Sequence, residues 1–444
     1  MLEFLAIYRR LWLITNLRLR GVKFKGDDLL DYNCKVHVVD MIMGSGKSSA
    51  AINYMNANPD KKFLYITPFL SEVMRIKDAC PNLGFTQPEA ERGGSKLKDI
   101  KKLLSKGENI VSTHSLFRLF TNEIIDICRA MNYTLIMDEV ADVVEPYDIS
   151  SDDMEIILRD LAYVNPDDNL LYWRDDKADY QGEYDEIKSK IDMHSLAMYG
   201  SSNRDVVLWL MPVHSFNAFR EVYILTYLFS GQIQRYYYDF FKLPYDYLYV
   251  EGDKYEDYAF TSEVQCQRIK YDYSKIIHIC DNEKLNAIGE MNTDLSKHWF
   301  IRNKSNKVVL PQLKKNLFNF FHNIQKSPSD NNIWTTFKDF KKPLSGKGYS
   351  KGFLPSNSRA TNAYKDRTCV AYCLNKYINT IIKLFFNNRG IETDDDVYAT
   401  SEMLQFIWRS AVREGNEIWV YIPSSRMRNL LIQWIADNPI SKGE

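Results

Sequence analysis

Three groups of residues have the types and spacings needed to work on a nucleoside triphosphate. The first is Met41-Ile-Met-Gly-Ser-Gly-Lys-Ser-Ser49, which follows the β-branched run Val36, Val38, Val39 and precedes the helical pattern opened by Ala50, Ala51 and Ile52. Gly44 and Gly46 let the backbone turn so that several N–H groups and a helix N-terminus aim at one anion. Gly44, Ser45, Gly46, Lys47, Ser48 and Ser49 would hold the phosphates, with Lys47 reaching the β and γ groups and the Ser48 hydroxyl ligating Mg²⁺. The common form of this pattern has a glycine five residues before Gly46, where this chain has Met41.

The second group is the acid pair Asp138-Glu139, delivered at the end of the apolar run Tyr133-Thr-Leu-Ile-Met137. Two adjacent acids at a strand end can divide labour: Asp138 bonds Mg²⁺ and Glu139 polarises an attacking water. The third group is Gln405, Arg409 and Arg413, each four residues from the next and so on one face of a helix expected over Ser401 to Glu414. Two guanidiniums a turn apart repel unless an anion lies near them, which suits stabilisation of a γ-phosphate. The cofactors implied are ATP and Mg²⁺.

The elements that position these groups alternate strand and helix. Strands are expected at Val36–Val39, Phe63–Thr67, Asn109–Thr113, Tyr133–Met137 and Val222–Thr226, with helices between them, which argues for a parallel sheet covered on both faces. The pattern loosens from about 142 to 219, read as an insertion. A second set of strands is expected at Tyr247–Val250, Gln265–Tyr271, Ile276–Cys280, Asn332–Thr336, Thr368–Cys373 and Ile418–Ile422. Asp394-Asp-Asp396 reads as a helix start, and Lys338 to Lys351 as a basic loop. The division that follows is an N-terminal extension over 1–34, a first domain over 35–243 and a second over 244–444.

A chain of 444 residues with a formal net charge of −1 has no global basic field, so any polyanion must be met by a local groove. Its seven cysteines are scattered without a CxxC pair, as in a reduced, cytoplasmic protein. The apolar start, Leu2 to Ile14, is broken by Arg9 and Arg10 and reads as a docked amphipathic helix; no membrane partner is expected.

In these motifs the chain resembles the superfamily 2 helicases of the DEAD/DEAH-box class, in particular the divergent forms encoded by bacteriophages and prophages. Met41 to Ser48 is similar to their motif I, Ile66-Thr-Pro-Phe-Leu70 to motif Ia, Val111-Ser-Thr-His-Ser115 to the strand-end threonine element, Asp138-Glu-Val-Ala141 to motif II, Ala360-Thr-Asn362 to motif V and Gln405 to Arg413 to motif VI. Leu225-Thr-Tyr-Leu228 stands at the place of motif III. Ala141, the missing Ser-Ala-Thr string and the four-residue arginine spacing depart from the family pattern. The resemblance implies two tandem RecA-like domains, parallel sheets with helices on both faces, with the insertion in the first. It implies ATP hydrolysis between them driving movement along a strand, in phage or prophage DNA replication or recombination. The partner would be single-stranded or partly duplex nucleic acid, DNA ahead of RNA, held through Thr67, Pro68, Thr113, Thr361 and Asn362, with other replication proteins as further partners. An ATP-gated loader that binds DNA without unwinding it, and a packaging-terminase ATPase, are the alternatives.

Overall fold

The computed structural model describes residues 35–440 other than 69, 91–93, 202–203, 266, 268 and 357–362, and the side chains of 70, 71, 201, 204 and 205 are likewise not described. The expected N-terminal helix, Thr361 and Asn362 therefore lie outside the described residues.

Among the described residues sixteen strands form four sheets. In chain order they are β1 (Lys35–Asp40), β2 (Lys62–Thr67), β3 (Ile110–Thr113), β4 (Tyr133–Asp138), β5 (Val144–Pro146), β6 (Ala162–Val164), β7 (Leu171–Trp173), β8 (Leu196–Ser201), β9 (Arg204–Leu210), β10 (Glu221–Thr226), β11 (Tyr245–Glu251), β12 (Ala259–Thr261), β13 (Ile277–Ile279), β14 (Asn332–Thr335), β15 (Cys369–Tyr372) and β16 (Ile418–Tyr421). The first lobe is built on a seven-stranded sheet in the order β12-β11-β1-β10-β4-β2-β3, parallel except for β12. The second is built on the parallel sheet β13-β16-β15-β14.

Strands covered on both faces read as near-continuous apolar runs, and the central strands β2, β4 and β15 do. Along β2, Leu64 and Ile66 enter one core while Phe63 and Tyr65 enter the core on the opposite face. In the second lobe Ile333 and Val370 face one way, Trp334 and Ala371 the other. The mixed α/β class and its tandem parallel sheets are as the alternation predicts.

Three expectations change. First, β11 pairs in parallel with β1 and β12 closes on β11, so the first sheet runs past 243 to Thr261. Second, among the described residues of Gln265–Tyr271 there is no strand; this stretch is the connector, and Tyr271 and Tyr273 pack with the second lobe's core. Third, the helix expected over Ser401–Glu414 runs instead from Asp395 to Ile407, caps at Trp408, and resumes as a 3-10 turn over Ala411–Glu414.

A further departure ties the lobes together. The helix Thr380–Asn387 belongs by sequence to the second half, yet Ile378, Ile382, Phe385 and Phe386 are buried in the core of the first lobe. Phe240 meets Phe385 and Phe386 with ring centroids 5.1 and 6.4 Å apart. Asn388 donates to the Tyr199 hydroxyl at 3.1 Å, reaching the insertion. The insertion consists of the antiparallel sheet β5-β9-β8 and the hairpin β6-β7, and its apolar residues join that same core. This is the behaviour of an elaboration of the first lobe.

Candidate active site

The glycine turn expected to hold phosphate begins where β1 ends. Gly46 has φ +96° and Gly44 φ +83°, the left-handed region that a side chain disfavours, and Gly46 is the N-cap of the helix Lys47–Ala57. Ala50, Ala51, Ile52 and Met55 bury one face of that helix, and Asn58-Pro59 ends it. Met41 is fully buried. Its side chain points down into the sheet, where Sδ lies 3.0 Å from the Val250 backbone nitrogen, so the missing glycine costs the cradle no space. Lys47 is folded onto its own loop, donating to the carbonyl oxygens of Met41 and, at 3.1 Å, Ile42. Burial pulls its pKa down, against the pull of the Glu139, Asp40 and Asp138 carboxylates.

Gln267, on the connector between the lobes, brackets the start of this loop. Its amide donates to the Asp40 carbonyl at 3.1 Å and accepts from the Ile42 N–H at 2.8 Å. Asp40 itself accepts from the Phe229 N–H at 3.0 Å, which joins the loop to the turn after β10. In that turn, where motif III is expected, the Tyr227 carbonyl accepts from the Ser401 hydroxyl at 3.3 Å and the Tyr227 hydroxyl accepts from the Trp434 indole at 2.9 Å. One residue thus contacts two helices of the second lobe.

Asp138 and Glu139 end β4 beside β10. Glu139 sits at φ +71°, held by its N–H donating to the Leu225 carbonyl at 2.9 Å. A non-glycine residue there stores on the order of 1–3 kcal/mol of strain, of a kind concentrated at functional sites. Burial first, and then the neighbouring Glu139 carboxylate, push the Asp138 carboxyl up to about 7. Two adjacent, half-buried acids on a cavity wall suit a cation, and Arg75 and Lys47 already offset part of the Asp138 charge. Ser48 lines the same cavity, so the donors present are hard oxygens, which fit Mg²⁺ completed by phosphate and water. Among the described residues no cluster of three or more potential ligands forms a self-contained metal cage.

The second lobe faces this wall. Gln405, Arg409 and Arg413 line one cavity of about 380 Å³ with Gly44, Gly46, Lys47, Ser48, Ser49, Asp138 and Glu139. The Gln405 amide lies 3.4 Å from a Glu139 carboxylate oxygen, and Arg409 Nε donates to the Gln405 carbonyl at 2.9 Å. The helix break at Trp408 does not scatter the group; the 3-10 turn brings Arg413 close enough for its charge to act on Lys47. Ser45 differs from its neighbours: it is buried and is not among the residues lining the cavity.

The expected nucleic-acid contacts fare less evenly. Thr113 and Pro68 are half-buried at strand ends. Thr67 is fully buried, its hydroxyl enclosed, and so does not present that group to a strand in this conformation. Three residues near the site carried no prior assignment. His114, one step after Thr113, has Nε2 2.9 Å from the Asp138 carbonyl oxygen. Glu72 and Arg75, ion-paired at 2.6 Å on the helix after β2, also line the cavity. An acid and a base three apart on an expected helix were the available signal. The acid run Asp394–Asp396 is spoken for: Asp394 caps the helix, Asp395 pairs with Lys383 and Asp396 with Arg426 at 2.6 Å. Among the described residues these acids form no group of three or more ligands that could hold a metal ion.

The chain is 39% identical over 414 residues to the SPbeta prophage-derived uncharacterized protein YonV of Bacillus subtilis (strain 168), covering 91% of this chain and 99% of that one. The chain belongs to the YonV family. Residues 271–435 match the YonV C-terminal Rossmann-like domain, and residues 144–209 the YonV middle domain. The first match spans all four strands of the second sheet and the arginine group, while the YonV middle domain coincides with the insertion. The prophage origin of the relative agrees with the expectation from sequence. A structure of Xpd4 from S. tokodaii aligns over 94% of this chain and 96% of its own, at 11% identity and a TM-score of 0.44. Among the described residues no helix is long and apolar enough to cross a membrane.

Proposed function

We propose that this YonV-family chain is a nucleic-acid-stimulated ATPase of the helicase or translocase kind, hydrolysing ATP between its lobes to move along a single strand. The observation that carries this reading is the single cavity lined by the phosphate loop and acid pair of one lobe and by Gln405, Arg409 and Arg413 of the other. Gly44, Gly46 and the start of the Lys47–Ala57 helix bind the phosphates through backbone N–H groups, and Lys47 leaves its loop carbonyls for them. Ser48 and Asp138 would hold Mg²⁺, which when bound neutralises charge on the phosphate oxygens. Glu139 orients and deprotonates the attacking water, and Gln405, 3.4 Å from it, positions that carboxylate. Arg409 or Arg413 stabilises the charge that develops on the transferred phosphoryl group.

Movement follows from differential contact. The triphosphate touches both lobes and favours the closed cleft, whereas its products release the arginines. Thr113 and Pro68, with Thr361 and Asn362, are proposed to hold the phosphodiester backbone, and DNA is the proposed strand. The test is the ATPase rate of wild type and Lys47→Ala with and without single-stranded DNA or RNA. Stimulation by a strand, and near-complete loss in the variant, is the expected result. Hydrolysis indifferent to every polynucleotide would remove the translocase reading.

A further inference from the structure

The residues assigned so far account for the phosphates and the metal and leave the nucleotide's base without a seat. Because β11 runs parallel to β1, pairing Val36 with Tyr245 through Val39 with Leu248, its carboxyl end opens beside the phosphate loop. The chain then turns through residues 252–258 and returns as antiparallel β12. That turn is tight: Gly252 has φ +92°, and a Cβ there would meet the Asp257 carbonyl oxygen at 2.3 Å.

The turn is fastened to the phosphate loop's own helix. The Asn53 side-chain amide donates to the carbonyl oxygens of Tyr255 at 2.8 Å and Tyr258 at 2.9 Å. This places the half-buried Tyr258 ring directly on Gly46, where an added Cβ would lie 2.7 Å from the ring carbon Cε2. The ring lines the same cavity as Lys47, Ser48 and Ser49, on the side of β1 away from the acid pair. Phosphates anchored on Gly46 and Lys47, with the metal toward Asp138, leave the sugar and base to lie on the β11 side. An aromatic face fixed there is a stacking surface.

We propose that Tyr258 is the platform on which the nucleotide base stacks; because every base has a π-face, ATP and GTP are both expected to be accepted. This rests on the reading of the cavity as a nucleoside triphosphate site and adds the residue that holds the base. A π-face is common to all bases, whereas hydrogen bonding to base edges would discriminate between them.

The test is equilibrium binding to the full-length protein of Mg²⁺ with ATP, GTP or inorganic tripolyphosphate, which has the phosphates and no base. Tyr258→Ala is expected to weaken ATP and GTP by about tenfold or more, Tyr258→Phe to recover that loss, and tripolyphosphate to bind wild type and both variants alike. Retained tripolyphosphate binding also reports that Tyr258→Ala is folded. Equal loss of ATP and tripolyphosphate in Tyr258→Ala would overturn the proposal by making the ring a support for the phosphate loop. Unchanged ATP affinity, or a strong preference of wild type for one base, would overturn it as well. A wild-type protein that binds ATP but fails these comparisons leaves the phosphate assignment standing, whereas one that binds neither ATP nor tripolyphosphate removes both.

Discussion

The burial of the Thr380–Asn387 helix in the first lobe makes a prediction with a built-in control. Phe386 is fully buried among first-lobe residues, with its ring centroid 5.9 Å from that of Tyr236. Phe386→Ala removes most of a large side chain from a close-packed site, at a cost of about 3–5 kcal/mol. With a loss of about 4 kcal/mol and a urea slope of about 3 kcal/mol per molar, the unfolding midpoint falls by roughly 1.3 M. Leu384, on the same helix, is 40% exposed, so Leu384→Ala should shift stability by no more than about 0.5 kcal/mol. Two lobes need not unfold together, so the assay is amide hydrogen exchange resolved by segment alongside the urea titration. Protection should fall in β1, β4 and β10 of the first lobe, although the substituted residue lies more than 130 positions beyond Leu243, where the sequence placed the domain boundary. If exchange rises only in β13 to β16, or if the two variants behave alike, the helix is not part of the first lobe's core and the reasoning fails.

Other outcomes follow from the site. Glu139→Gln should bind ATP as wild type does while single-turnover hydrolysis falls by at least about a hundredfold, because the change removes a base and leaves the phosphate contacts. The raised Asp138 carboxyl holds its proton in the folded chain between the ordinary value of 3.8 and about 7, so its contribution to stability falls as pH rises through that window. A cation competes with that proton, so Mg²⁺ affinity, measured by titration of the nucleotide complex, should be about tenfold weaker at pH 6 than at pH 8. His114→Ala should leave basal hydrolysis near wild type and cut stimulation by a strand about five- to tenfold, since it severs the contact between the Thr113 strand end and the Asp138 backbone. Stimulation undiminished in this variant would place the coupling elsewhere.

The glycine turn, the strand-end acid pair and the polar group at Gln405, Arg409 and Arg413 were legible as local patterns set by neighbours in sequence, and they line one cavity. Asp394-Asp-Asp396 was likewise readable as a helix start, and Asp394 is the cap. What could not be read was which distant surface each element would join. Tyr247–Val250 has the residues of a strand, but nothing in it specifies pairing with β1 instead of with a second sheet. Thr380-Ile-Ile-Lys-Leu-Phe-Phe-Asn387 is plainly apolar, yet the hydrophobic effect is non-directional and does not name the core that receives it. The continuous helix expected through Arg413 does not form: four-residue spacing suits a helix, but the fully buried Ser410 ends the run with its hydroxyl on the Ile407 carbonyl at 2.6 Å. Tyr258 had no local signature, and His114 appeared only as a member of the Val111–Ser115 element, because the groups each one meets lie across the sheet.

Gln267 gives the connector a mechanical meaning. It holds one peptide group on each side of Met41, through Asp40 and Ile42, and lies between the last strand of one lobe and the first core tyrosines of the other. If the lobes part as proposed above, a tether grafted at that point would pull on the glycine turn. Under the proposed function, widening of the cleft and relaxation of the grip on spent phosphate would then be a single event.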